Sequence, residues 1–173
     1  LADMILNQTA MGYRGFDFSS VAIENAQELT GRHELFSVAN ALEPKSYDGE
    51  ERYDSIVCTE VLEHIHEDTE VLSLWPAGAW VVLSVPNFDS ATHVRFFQEE
   101  KEVRERYQDL VSIDRIERVK MPRLPDRHWR NQLEAFWAHR RSKTRILELL
   151  GFGDFDEVGG WFLFTGTIRG DGL

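Results

Sequence analysis

The sequence predicts an α/β fold in which a mostly parallel sheet is closed by an antiparallel C-terminal hairpin and carries a helical insertion. Short apolar strands alternate with helical stretches over the first half of the chain, and this alternation is typical of a parallel sheet with covering helices. Near the end, two β-prone stretches flank Gly159 and Gly160, a pair that favours a tight turn between antiparallel strands. We therefore expect a single domain over residues 1–173.

The elements of the first half are predicted from apolar runs and from the residues that interrupt them. The run at residues 55–59 is typical of a strand buried on both faces. Pro86 stops a second apolar run, and Pro76 with Gly78 breaks the helical stretch before it. In chain order we predict a strand at 13–18, a helix at 21–29, strands at 34–38 and 55–59, helical or turn structure at 61–74, and a strand at 80–85.

The second half of the chain changes character. Residues 93–145 are polar, rich in arginine and helical in tendency, without an obvious buried strand, so we predict a variable helical insertion within the domain. Residues 146–150 are predicted as the end of an amphipathic helix that Gly151 stops. The two strands of the closing hairpin are predicted at 155–158 and 161–168.

Composition narrows the class of protein. The net charge of −11 argues against a general nucleic-acid binder, which needs a basic surface to neutralise phosphates. Most basic residues lie between Arg95 and Arg145. This segment is interpreted as a solvated helical surface, and the alternative is a face that binds an anionic partner. No apolar run approaches the roughly 18 residues of a membrane span. The single cysteine, Cys58, excludes an internal disulfide and is predicted to be a buried, inert thiol in a cytoplasmic protein.

Polar residues directly past the strands are the candidate ligand-binding groups, because open α/β sheets bind ligands beyond the carboxyl ends of their strands. Asp17 follows the first strand and could accept two hydrogen bonds from ribose hydroxyls; the alternative is that Asp17, Ser19 or Ser20 caps the next helix. Asn40 follows the second strand and offers a donor and an acceptor to an adenine edge; the alternative is an ordinary asparagine turn.

Four stretches together carry a family resemblance. They are GFDFS at residues 15–19, YDSIVCTEVLEHI at 53–65, PAG at 76–78 and VVLSVPN at 81–87. In this combination the chain resembles the class I S-adenosylmethionine-dependent methyltransferases, especially the small-molecule branch that includes ubiquinone-type O-methyltransferases. The resemblance implies a Rossmann-like methyltransferase fold, S-adenosyl-L-methionine as cofactor, and methyl transfer to an O or N atom of a small-molecule acceptor. Residues 93–145 would then form the acceptor side.

The resemblance also implies roles for particular residues. Asn40 stands where the family usually has Asp, and its carbonyl could still bond the adenine amino group. His64 is the candidate catalytic base, with a purely structural histidine as the alternative, and His93 is a second candidate. The implied cofactor-binding residues are Asp17 at the ribose, Phe18 along the adenosine, Asn40, Ala41 and Leu42 at the adenine, and Thr59, Glu60 and Val61 at the methionine moiety.

One family motif does not occur in these residues. The first strand and its Asp-x-Gly-x-Gly loop have no counterpart here, and residues 1–6 resemble the helix that follows that loop. We therefore expect the natural protein to carry the motif ahead of residue 1. Because that strand lies in the middle of the family's sheet, its absence leaves two neighbouring strands without ladder partners.

Three alternative functions compete with the main hypothesis, which includes no metal. Glu60, Glu63 and His64 share one side of a helical turn and could hold a divalent metal with His93 or His128. This arrangement resembles the metal-dependent methyltransferases that modify the terminal 2′-hydroxyl of small RNAs, although the acidic chain suits RNA poorly. A methyltransferase-fold binding module without catalysis is the second alternative. A nicotinamide-dependent oxidoreductase is the third, and the Glu-x-x-Glu-His string disfavours it.

Overall fold

A computed structural model describes residues 12–48, 53–120 and 160–170 of the chain. The chain forms two compact units, Leu1–Glu51 and Arg52–Leu173. No helix within the described ranges is long and apolar enough to cross a bilayer.

The first unit contains a two-stranded parallel sheet and one helix. Strand β1 (Gly15–Asp17) pairs with β2 (Phe36–Val38), with Asp17 opposite Val38 at their carboxyl ends. Helix α1 (Ser20–Thr30) connects them, as the strand-helix alternation predicts. It ends at Gly31, whose φ of 67° is left-handed and therefore favours glycine.

The second unit is built on a four-stranded mixed sheet. Its elements are β3 (Ser55–Cys58), α2 (Asp68–Ser73), β4 (Trp80–Pro86), α3 (Glu100–Tyr107), β5 (Val111–Lys120) and β6 (Gly160–Ile168). The strand order is β3-β4-β6-β5; β3 and β4 are parallel, and β6 runs antiparallel to both of its neighbours. Fully buried side chains pack around this sheet, among them Leu62, Leu83, Val103, Tyr107 and Phe164.

Strands β1 and β3 each have one partner within the described residues, β2 and β4 respectively. Strands β2 and β5 likewise have one partner each among these residues, so the expectation that two particular strands lack a ladder partner stays a prediction. The predicted burial of β3 on both faces is wrong, because the Val57 side chain is 41% exposed. Among the described residues β3 has one neighbouring strand, β4, so fewer side chains cover its faces than those of a central strand.

The prediction of a helical segment at 93–145 is correct for α3 and wrong for β5. The sequence of β5 does not show the pattern of a strand, because a register shift between Ile113 and Arg115 interrupts the alternation of inward and outward residues. Val111 is buried and Ile116 is half-buried, while the charged residues between them are exposed. The rest of the insertion, from residue 121, lies outside the described residues.

The closing antiparallel arrangement is confirmed only in its last strand. The predicted strand at 161–168 is β6, which pairs with β4 and β5. The other predicted arm, 155–158, and the helix end at 146–150 lie outside the described residues. Gly166 of β6 lies so close to the Ser112 carbonyl that a Cβ would collide with it, which explains a glycine inside this strand.

Candidate functional site

A cleft of about 470 Å³ lies in the first unit at the carboxyl ends of β1 and β2. Phe18, the residue after β1, and Val38, the last residue of β2, line the cleft. Their side chains are 82% and 56% exposed. Asn40 and Lys45 contribute polar groups to the same cleft. Two exposed apolar side chains beside a few polar groups are typical of a ligand-binding surface.

Asp17, the predicted ribose-binding residue, is half-buried at the end of β1 and is not among the residues that line this cleft. Its Oδ1 accepts a hydrogen bond of 2.8 Å from the backbone N–H of Ser19. The Ser19 hydroxyl, which accepts from the Ala22 N–H at 3.3 Å, caps helix α1. Asp17 therefore shapes the turn ahead of the helix, and its role at the ribose stays a prediction.

Asn40 forms the asparagine turn that the sequence analysis gave as the alternative. Its Oδ1 accepts a hydrogen bond from the Leu42 N–H at 3.0 Å, and its backbone carbonyl accepts from the Ser46 hydroxyl at 2.6 Å. Because an amide oxygen has two lone pairs, one acceptor site remains for a ligand. Asn40 lines the cleft, whereas Ala41 and Leu42 do not; Ala41 instead accepts a hydrogen bond from the Tyr47 hydroxyl.

In the second unit, the predicted methionine-side residues Thr59, Glu60 and Val61 form the turn that leaves β3. Glu60 has a φ of 61°, and within the described residues it alone among the non-glycine residues has a positive φ. Ser84 of β4 stabilises this turn: its Oγ accepts from the Glu60 N–H at 3.0 Å and lies 3.4 Å from Glu60 Oε1. Such conformations cost on the order of 1–3 kcal/mol and cluster at functional sites.

The structure brings together His64 and His93, the two histidines that the sequence analysis proposed as candidate bases. Their rings lie 5.1 Å apart edge to face. His64 Nδ1 is 2.9 Å from the Thr92 carbonyl, and His93 Nδ1 is 3.2 Å from the Phe88 carbonyl. A carbonyl only accepts, so each neutral ring carries its proton on Nδ1 and leaves a lone pair on Nε2.

Glu63 completes this group and is fully buried. Its Oε1 lies 4.0 Å from His64 Nε2, beyond hydrogen-bond distance. Neither carboxylate oxygen has a hydrogen-bond partner within the described ranges. Burial, with a contribution from the nearby Glu60 carboxylate, raises the pKa of Glu63. Sequence spacing had placed Glu60 in this group, but the structure directs Glu60 to Ser84 instead.

Arg95 supports this turn and was missed by the sequence analysis. Its guanidinium donates to the carbonyls of Leu62 and His66, each at 2.8 Å, and lies 3.0 Å from the Asp68 carboxylate. Asp68 is fully buried and also accepts from Arg106 and from the Tyr107 hydroxyl at 2.7 Å. No local spacing signals these bonds, since the Arg95–His66 and Arg106–Asp68 bonds span 29 and 38 positions of the chain.

Cys58, predicted to be an inert thiol, is half-buried at the end of β3. Burial, with a contribution from the Glu63 carboxylate, raises the pKa of the Cys58 thiol to about 12. At neutral pH the sulfur is therefore protonated, and it is a poor nucleophile.

We expect Cys58 to react with a thiol-disulfide reagent at pH 8 about a thousandfold more slowly in the native protein than after denaturation. The sign follows from the raised pKa, which lowers the thiolate fraction at any pH below 12. Chromophore release from Ellman's reagent measures the rate, and Cys58 is the only cysteine of the chain. A native rate within tenfold of the denatured rate would contradict the prediction.

No protein-family model and no curated protein sequence matches the chain. Several solved structures are similar to the structure of this chain. The N-methyltransferase NodS from Bradyrhizobium japonicum, in complex with S-adenosyl-L-homocysteine, is 15% identical with a TM-score of 0.52 over 90% of this chain. Phosphoethanolamine N-methyltransferase 2 of Haemonchus contortus, in complex with S-adenosyl-L-methionine, is 15% identical with a TM-score of 0.54 over 98%. The [4+2]-cyclase SpnF is 14% identical with a TM-score of 0.62 over 99%.

The chain spans 65% of the NodS chain, 46% of the phosphoethanolamine methyltransferase and 70% of SpnF. Identities this low show a shared fold and leave the reaction open, as a cyclase among the similar structures illustrates. The predicted methyltransferase fold is thus confirmed, while the ubiquinone-type branch stays a prediction. This chain has the fold of the class I S-adenosylmethionine-dependent methyltransferases.

Proposed function

We propose that this protein is an S-adenosylmethionine-dependent methyltransferase that acts on an O or N atom of a small molecule. One observation carries the proposal: the cleft at the carboxyl ends of β1 and β2, where Phe18 and Asn40 lie together. In open α/β folds this is the edge of the sheet at which nucleotide-like ligands bind.

The residues of the cleft suit the adenosine part of the cofactor. The Phe18 ring is 82% exposed and offers an apolar face to a planar base. Asn40 offers amide groups to the polar edge of the base, and the volume of about 470 Å³ falls within the range of small-molecule sites. The assignment of Thr59, Glu60 and Val61 to the methionine moiety comes from the family resemblance and stays a prediction.

Bound S-adenosylmethionine supplies an electrophilic methyl group on its sulfonium. The chain's own residues chiefly have to position the acceptor, and alignment of this kind can supply roughly 7–11 kcal/mol. His64 is the predicted base for an acceptor that must lose a proton. Its Nδ1 donates to the Thr92 carbonyl, so Nε2 is the nitrogen that could take that proton. A cytoplasmic location and a small-molecule acceptor belong to the same proposal.

A second candidate function is a reaction or binding role on the same fold without methyl transfer. The observation that favours it is the similarity to SpnF, which is described as a [4+2]-cyclase. The two candidates differ in whether a radiolabelled methyl group leaves S-adenosylmethionine when small-molecule acceptors are supplied.

We expect the full-length protein to bind S-adenosylhomocysteine in isothermal titration, and Phe18→Ala to weaken that binding about three- to tenfold. The reason is loss of the apolar surface that the ring offers to the base. Leu29→Ala is the matched control, because Leu29 on α1 is also apolar, is 89% exposed and lies outside the cleft.

Absence of S-adenosylhomocysteine binding by the full-length protein would overturn the proposed function. Equal effects of Phe18→Ala and Leu29→Ala would mean that the protein binds the cofactor at a place other than this cleft. Both variants should unfold at the same temperature as the parent protein, since both positions are exposed.

A further inference from the structure

A group of three side chains in the second unit has the composition of a metal site. Glu63, His64 and His93 each offer one ligand atom, and these atoms lie within 4.8 Å of one another. Glu63 and His64 belong to the turn after β3, whereas His93 lies in the segment between β4 and α3. The chain fold therefore brings the group together from two separate segments.

Both histidines are held in the form that binds metals. Each Nδ1 donates to a backbone carbonyl, His64 to that of Thr92 and His93 to that of Phe88. Fixing the proton on Nδ1 leaves the lone pair of Nε2 for a ligand. A second hydrogen bond of this kind is a regular feature of histidines that coordinate metals, because it sets the tautomer and the orientation of the ring.

The Glu63 carboxylate is the buried anionic member of this group. It is fully buried, and neither of its oxygens has a hydrogen-bond partner among the described residues. A buried carboxylate without a partner costs several kcal/mol. The two histidines do not relieve this cost as neutral rings, because both N–H groups point to backbone carbonyls.

The two segments that carry the ligands are tied to each other by hydrogen bonds. The Val94 N–H donates to the Glu63 carbonyl at 2.8 Å. Arg95 donates to the carbonyls of Leu62 and His66 on either side of the turn, each at 2.8 Å. Ligands held in this way require little ordering when an ion binds.

We propose that Glu63, His64 and His93 bind a divalent transition-metal ion through one carboxylate oxygen and the two Nε2 atoms. Two imidazoles favour zinc, iron or cobalt over magnesium or calcium, which prefer oxygen ligands. Zinc ligands about 2.1 Å from the metal lie roughly 3.4 Å apart in a tetrahedral site, so Glu63 Oε1 and His64 Nε2, which are 4.0 Å apart, would close by about 0.6 Å. The His64 side chain is 40% exposed, which leaves room for water or a substrate atom on the ion.

The inference does not require the proposed function, since S-adenosylmethionine binding needs no metal, but the two assign different roles to His64 Nε2. It does bear on His64, because an ion on Nε2 excludes that nitrogen as a base. It also differs from the metal set suggested by sequence spacing, in which Glu60 took part. Glu60 instead lies against Ser84, outside the group of three.

The test is titration of the EDTA-treated, desalted full-length protein with zinc chloride, followed by calorimetry, and with cobalt chloride, followed by visible absorption. We expect one ion per chain and cobalt d–d bands. We expect Glu63→Gln and His93→Ala each to weaken zinc binding at least tenfold. His66→Ala is the matched control, because His66 is an exposed histidine two positions after His64 and outside the group.

Three results would overturn the proposal: no binding of either ion, zinc binding that both cluster variants leave unchanged, or binding that His66→Ala weakens as much as His93→Ala does. Circular dichroism of each variant in EDTA separates loss of the site from loss of the fold. Should Glu63→Gln fail to fold, His93→Ala decides the question, because His93 lies in a loop and is only half-buried.

Discussion

Replacement of Asp68 with alanine is expected to lower the free energy of unfolding by about 3–5 kcal/mol, the cost of removing one partner from a buried ion pair. Asp68 is fully buried, and its carboxylate receives Arg95, Arg106, the Tyr107 hydroxyl and the Thr69 N–H. Without the carboxylate, the two guanidinium groups would face each other without an anion. Urea unfolding followed by circular dichroism measures the change.

Two further variants make the Asp68 prediction specific. Glu70→Ala removes an exposed acid from the same helix, α2, and should change stability by less than about 0.5 kcal/mol. Tyr107→Phe removes one donor to the charged carboxylate and leaves the guanidinium and backbone donors in place, so we expect a loss of about 1.5–3 kcal/mol. An Asp68→Ala protein that loses less than 1 kcal/mol would show that this network does not hold the unit together.

Replacement of Asp17 with alanine is expected to weaken S-adenosylhomocysteine binding by the full-length protein about 10- to 100-fold. We expect a net loss of about one charged hydrogen bond, roughly 1.5–3 kcal/mol, because water replaces the carboxylate at the other ribose hydroxyl. Of the two Asp17 carboxylate oxygens, only Oδ1 accepts a hydrogen bond from a residue of the range 12–48, the Ser19 N–H. The carboxylate can therefore still accept hydrogen bonds from a sugar. Isothermal titration measures the affinity.

The Asp17 prediction must be separated from the effect of the turn. Asp17→Asn keeps an acceptor for the Ser19 N–H but loses the charge, and we expect a smaller loss of affinity with an unchanged melting temperature. Glu28→Ala, an exposed acid on helix α1, is the control for charge alone. Unchanged affinity in Asp17→Ala would remove this residue from the cofactor site without removing Phe18.

Strand β5 is the described strand that the sequence pattern did not predict. The other described strands were predicted because apolar residues are consecutive or alternate in them, and Pro86 marks the end of β4. In β5 the register shift after Ile113 moves the inward positions by one residue, so neither period of two nor of 3.6 appears. A strand that buries few side chains and contains a bulge leaves little local signal.

The residues of the proposed metal site were likewise only partly predictable from the sequence. Local spacing grouped Glu63 and His64 with Glu60, because it assumed a regular helix at this turn. The backbone instead forms a short 3-10 turn after a left-handed residue, which carries Glu60 towards Ser84. His93 was one of two distant histidines named as candidates, and only the packing of its segment against the turn selects it.

Sequence alone determined the strand-helix alternation, the methyltransferase resemblance and the polar residues at the strand ends. These features are encoded within a few consecutive residues, so they are readable without a fold. Tertiary structure decided which of those residues meet. The hydrogen bonds from His64 to Thr92 and from Arg106 to Asp68 span 28 and 38 positions. Such contacts, and the burial that leaves Glu63 without a partner, depend on how the strands and the segments between them pack, which local spacing does not encode.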